Sequence, residues 1–187
     1  MQTDSNSLIE EMLALTERAS SAARKFRENP NRNLNFRNHP EQWSALECLE
    51  HLNRYGEFYL PAIEKAILSQ QKNRNVNTFK SGLFGNYFAN LMRVKEGKIT
   101  KMRTPADKNP LGSQLSLTTV DRFLKQQEML KSLLNQARHV DLTRTKVPIS
   151  LTRLIRLRLG DTFRFFVYHI ERHIAQANRV LEDSSHL

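Results

Sequence analysis

Two histidines four residues apart, His169 and His173, stand near the end of the last apolar run of the chain. On a helix they lie about 40° apart and share a face. Imidazoles at that spacing can close on one metal ion, because neighbouring turns carry both rings to the same point. Such a pair alone is a weak signal, since most bind nothing. Its weight depends on whether the chain brings a third ligand to the same place.

The third candidate is His51. The pattern around it predicts a second helix from about Glu41 or Trp43 to Gln70. At 100° per residue its inward arc holds Cys48, Leu52, Tyr55, Tyr59 and Ile63, with Glu50, Asn53, Arg54, Glu57 and Glu64 on the outer arc. His51 points inward near one edge of the buried face, and Glu47 lies one turn earlier toward that edge. The last helix, about Asp161 to Glu182, turns Phe166, Ile170, His173, Ala177 and Leu181 inward, with His169 in the same arc and Gln176 about 20° from it. Arg164, Glu171, Asn178 and Glu182 are expected to face outward. The other three of the six histidines, His39, His139 and His186, fall in loops or at ends.

Three inward imidazoles suit a catalytic zinc site, in which three protein ligands leave a position open. Nickel, iron and manganese accept similar facial sites. The alternative is three buried histidines satisfied by hydrogen bonds alone. Cys48, about 60° and one turn from His51, is either a fourth ligand or a small core residue, and core is the commoner role. A zincin is excluded. Its H-E-x-x-H signature places the base directly after the first histidine, whereas Glu171 projects about 160° away from His169.

The elements that must position these residues read as helices. Ser7 to Arg27 is amphipathic, with a Ser7/Glu10 capping box. An Asn-rich stretch, Asn29 to His39, reads as connection. Residues 71–114 are irregular: Gly82 to Gly85 reads as a turn, Tyr87 to Val94 as two turns of helix, and Lys98 to Pro110 as a basic loop covering one end of the helices. A third helix spans about Ser116 to Arg138. Val140 to Ser150 is a break, Leu151 to Leu159 is either a short helix or an extended link, and Gly160 and Asp161 offer a break and an N-cap. Pro61 should kink the second helix. The expected architecture is a single all-α domain over 1–187, a four-helix bundle with a long loop between its second and third helices.

Composition narrows the class. The chain has 187 residues, 39% hydrophobic and 26% charged, with only 6 Gly and 6 Pro, few for an all-β protein of this size. No stretch approaches about 18 apolar residues, so no membrane span is expected. The polar N-terminus does not read as a signal peptide. The single cysteine fits a reducing cytoplasm. A net charge of +10 permits nucleic-acid contact, and Arg153, Arg156, Arg158 and Arg164 are locally concentrated. No recognition motif accompanies them, so a solvated basic surface is the simpler reading and neither a nucleic-acid nor a membrane partner is expected.

The motifs also carry a resemblance. WSALECLEHL, from Trp43 to Leu52, resembles the W-S-x-x-E-x-x-x-H-L pattern of the DinB family. HIERHIAQ, from His169 to Gln176, resembles its H-x-x-x-H-x-x-Q signature, and KMRTP, from Lys101 to Pro105, is similar to the family's basic loop before the third helix. The resemblance implies a DinB/YfiT-like four-helix bundle, often a homodimer. It also implies a divalent metal, zinc or nickel first and iron or manganese next, on His51, His169 and His173. Relatives of this kind include bacillithiol S-transferases and mycothiol-dependent isomerases. The implied function is therefore a metal-dependent transferase or hydrolase acting on a small molecule, such as a low-molecular-weight thiol conjugate. In that reading Glu47 orients a ligand or accepts a proton, and Gln176 bonds water or substrate. Other readings are a non-catalytic binding or regulatory bundle and, less readily, a basic nucleic-acid-associated protein.

Overall fold

A computed structural model describes residues 1–28, 33–70, 77–94, 103–150 and 152–183. The chain is mostly helical, with five α-helices among the described residues. They are α1 (Ser5–Glu28), α2 (Ala45–Leu68), α3 (Leu83–Met92), α4 (Thr118–Gln136) and α5 (Leu159–Asp183). Two short antiparallel ribbons accompany them: β1 (Gln2–Asp4) pairs with β2 (Thr78–Lys80), and β3 (Lys146–Ile149) with β4 (Thr152–Arg158). Helices α1 and α2 each pack against both α4 and α5, while α3 packs on α5. Leu8, Met12, Leu15, Ala19 and Phe26 of α1 are buried, as their spacing predicts, and meet Leu49, Leu52 and Ile63 of α2 in one core.

Helix starts depend on local hydrogen bonds. Ser44 caps α2 in a full capping box: its hydroxyl accepts from the Glu47 N–H at 3.2 Å and Glu47 accepts from the Ser44 N–H at 2.8 Å. The helix runs on through Pro61. At α1 the expected Ser7/Glu10 box is replaced three residues upstream, where Asp4 accepts from the Ser7 N–H at 2.8 Å and its hydroxyl at 3.0 Å.

Several expectations change where α3 and the ribbons form. The stretch read as a turn from Gly82 to Gly85 is the cap and first turn of α3. The break before the last helix contains β3, with Pro148 inside the strand, and the alternating Leu/Ile–Arg segment is β4. Lys98 to Met102 of the basic loop lies outside the described residues, as does the side chain of Arg153. Helix α5 begins at Leu159, so Gly160 and Asp161 belong to its first turn.

Asp161 serves a different helix end. Its carboxylate accepts from the Gly82 N–H at 2.8 Å and from the Ser81 hydroxyl, tying the start of α3 onto α5. Gly85 admits that carboxylate, because a Cβ there would lie 2.3 Å from it. Gly160 likewise lets the Phe79 ring lie flat, at 2.6 Å from where a Cβ would stand. Arg164, expected at the surface, is instead 2% exposed. Its guanidinium donates to Ser81 and Asn86 at 3.2 Å and pairs with Asp161 at 3.4 Å. Helix α3 covers the side of α5 that periodicity alone assigns to solvent. Asn53 and Glu50 of α2 are buried for a similar reason: Asn53 donates to the Thr119 carbonyl at 3.0 Å, and Glu50 pairs with Arg54 and Arg122.

Removing one partner of a buried ion pair strands the other charge. Asp161→Ala should therefore cost about 3–5 kcal/mol of unfolding free energy, read from the urea midpoint. Arg27→Ala, which breaks the exposed Arg27–Asp121 contact at 3.3 Å, should stay within about 1 kcal/mol.

Candidate metal centre

Two helices carry the three histidines. α2 presents His51 two turns after its capped start, and α5 presents His169 and His173 on its inward face. One ligand nitrogen from each lies within 4.8 Å of the others, and all three side chains are buried. The Nε2 atoms of His51 and His169 face one another at 3.1 Å.

The outer nitrogens set the tautomers. His51 Nδ1 stands 2.7 Å from the Lys108 carbonyl oxygen, so Nδ1–H donates there and the lone pair stays on Nε2. His173 Nδ1 stands 3.0 Å from Gln176 Oε1, which holds it in the same way. His169 Nδ1 is buried without a partner. With His51 Nε2 bare, a neutral His169 that carries its proton on Nε2 donates to it at 3.1 Å, and a shared cation would take the place of that proton. At metal–nitrogen distances of about 2.1 Å, tetrahedral ligands sit about 3.4 Å apart, so the widest separation must close by no more than about 1.4 Å. The donor set fits a divalent ion, with an orienting partner on two of its three ligands.

Burial keeps the imidazoles neutral. It pushes His51 down to about 4, with the Arg54 and Lys108 charges adding to the effect against the Lys108 carbonyl. Burial drives His169 and His173 well below the ordinary histidine value, and each is further disfavoured as a cation by a neighbouring imidazole. Neutral imidazole is the form that ligates metal.

Aromatic rings wall the site. Trp43 lies 4.6 Å from His51 and 5.6 Å from His173, Tyr55 lies 4.9 Å from His51 and 4.7 Å from His169, and Phe165 stacks on His169 at 6.0 Å. A 3-10 turn at Ala106–Lys108 forms a roof. It is stapled to α2 by Arg54 donating to the Asn109 carbonyl at 3.1 Å and Lys108 Nζ donating to the Arg54 carbonyl at 3.2 Å, and to the residue before the α2 cap by Trp43 Nε1 donating to Asn109 Oδ1 at 3.1 Å.

Gln176 thus reaches the cluster through His173. Glu47 is fully buried and its oxygens are engaged elsewhere. They accept from Arg37 Nε at 2.8 Å and Nη2 at 2.9 Å, from the Ser44 N–H, and from the Ser113 N–H at 3.1 Å. Burial raises the Glu47 carboxyl, but the Arg37 and Ser44 bonds outweigh it and hold the group below its usual range. Cys48 is buried in the core, where desolvation raises its thiol. Glu171 faces away and contacts Arg18 at 3.5 Å. Arg37 and the Lys108 carbonyl were missed from sequence. Nothing in an Asn-rich loop marks Arg37, and a main-chain carbonyl leaves no residue-type signal.

The family model of the DinB superfamily matches residues 9–177, from α1 almost to the end of α5. The chain belongs to the DinB superfamily. Comparison with curated proteins and with solved structures finds no match.

The proton linkage of this DinB chain has a definite sign. Between pH about 6.5 and about 4 the unfolded histidines bind protons that the folded ones refuse. Stability of the metal-free protein should therefore be fully present above pH about 6.5 and decline toward pH 4, with His51→Gln flattening that decline. Urea midpoints across this range check it.

Proposed function

We propose that this DinB protein is a divalent-metal-dependent transferase or hydrolase of a small molecule, built on a four-helix bundle and working in the cytoplasm. Its preferred chemistry is thiol S-transfer. The observation that supports it is the convergence of three neutral, buried imidazoles, each bringing one ligand nitrogen within 4.8 Å of the others. His51, His169 and His173 would hold the ion, with zinc or nickel best matched to an all-imidazole set. A divalent ion bound there supplies a Lewis acid that lowers the pKa of a water or thiol ligand.

The chain's own residues then orient and exclude. Gln176 fixes the His173 ring, and the Lys108 carbonyl fixes His51. Trp43, Tyr55 and Phe165 keep bulk water from the ligands and offer an apolar wall to a substrate. Glu47 is a positioning residue in this reading: with Arg37 and Ser113 it secures the helix start that aims His51. The Tyr55 hydroxyl, pushed up to about 12 by burial, keeps its proton at neutral pH and serves as a donor.

One observation favours a second reading. The three ligands are only 3%, 5% and 9% exposed, a degree of enclosure that also suits a non-catalytic metal-bound bundle. Turnover separates the two. Protein loaded with zinc or nickel should conjugate a low-molecular-weight thiol to a member of an epoxide and alkyl-halide panel, and His51→Ala should lose that activity. Gln176→Ala should weaken metal affinity by about 10–100-fold while the fold stays intact. Full metal occupancy with no thiol-dependent turnover across the panel would sink the transferase reading and leave the binding one.

A further inference from the structure

A surface helix normally buries one face and wets the other. Helix α3 departs from this. Gly85, Ala89 and Met92 are its buried residues and α3 packs on α5. Leu83 and Tyr87 lie within about 30° of the opposite pole. Leu83, Phe84 and Tyr87 are 93%, 72% and 62% exposed, and no side chain from Leu83 to Met92 is charged. Exposed Asn90 shares this outward side, but an uncharged helix with Leu83, Phe84 and Tyr87 bare opposite its buried face calls for cover there too.

The surroundings indicate what covers it. Exposed cations sit at each end: Lys80 lies just before the helix, and Arg93 is its C-cap. Arg158 reaches across from β4, donating to the Lys80 carbonyl, with its Nε 3.4 Å from where a Cβ on Gly82 would lie. Leu154 and Arg156 share the Arg158 face of β4 by strand alternation, and both are exposed, Leu154 at 93%. Asp161, the carboxylate that reaches the start of α3, is buried and committed to Ser81 and Gly82. The result is an apolar face rimmed by positive charge on a chain of net charge +10.

Three occupants can be weighed on that pattern. A two-fold contact with a second copy would set like cations against one another. A nucleic acid would satisfy the cations but leave Leu83 and Leu154 in water. An anionic bilayer takes both parts at once, with apolar side chains in the interface and Lys or Arg at the headgroups. No described helix is long and apolar enough to cross a membrane, so the contact is peripheral. Hydropathy windows report spans only, which is why composition points away from a membrane partner.

We propose that the outward face of α3, with the basic residues at its ends, docks on the surface of an anionic lipid bilayer. The test is flotation of the full-length protein with vesicles of equal parts phosphatidylcholine and phosphatidylglycerol, against phosphatidylcholine alone. Wild type should float with the mixed vesicles, stay behind with the neutral ones, and dissociate as salt rises. The triple variant Leu83→Ser, Phe84→Ser, Tyr87→Ser, altered only at exposed positions, should bind more than about tenfold more weakly with an unchanged circular dichroism spectrum. Lys80→Gln with Arg93→Gln should lose roughly fivefold per cation. The proposal is overturned if wild type ignores anionic vesicles or if the triple variant floats as wild type does. It is also overturned if the triple substitution instead dissolves a dimer, or abolishes oligonucleotide binding, with flotation unaltered.

Discussion

Three imidazoles withdrawn from water into contact are the constraint on which this structure turns. Each must stay neutral where it is buried, because charging any of them would set a cation against two neighbours in a low-dielectric site. Neutrality in turn fixes tautomers. The Lys108 carbonyl and Gln176 take the Nδ1 protons of His51 and His173, which turns their lone pairs inward. What remains at the centre is three ring nitrogens within 4.8 Å of one another, two of them in contact at 3.1 Å.

The rest of the fold can be read as the apparatus that holds two helices in register around that point. At α2, Glu47 links the capped first turn to Arg37 in one loop and Ser113 in another, so the roof that carries Lys108 cannot drift independently of His51. At α5, the first turn is pinned by Phe79 against Gly160 and by Asp161 beneath α3, two to three turns before His169. These contacts lie at element ends, where a small shift would be carried along a stiff helix to the ligands.

Much of this was legible in residue order. The inward placement of His51, His169 and His173 follows from helical period alone, because long helices keep phase over several turns. The Ser44/Glu47 pair was recognisable as part of a motif and read for chemistry at Glu47, whereas its capping role appears only once the helix start is built. What escaped detection was set by contacts distant in sequence. Arg164 looks like a surface residue until α3 is laid over it, and Arg37 looks like loop filler until Glu47 is placed beside it. The strand character of Thr152–Arg158 was ambiguous, since alternating Leu and Arg satisfies a ribbon or a short helix equally until Lys146–Ile149 pairs with it.

Enclosure and reactivity pull in different directions at such a site. Rings that exclude water strengthen every electrostatic contact among the ligands. Binding of the ion can be tested without knowing a substrate. X-ray absorption on untagged protein, loaded with zinc or nickel and desalted, should report about one equivalent of metal bound by three imidazole nitrogens, with lighter-atom ligands completing the shell. Metal well below one equivalent, or a shell without three imidazoles, would contradict the account.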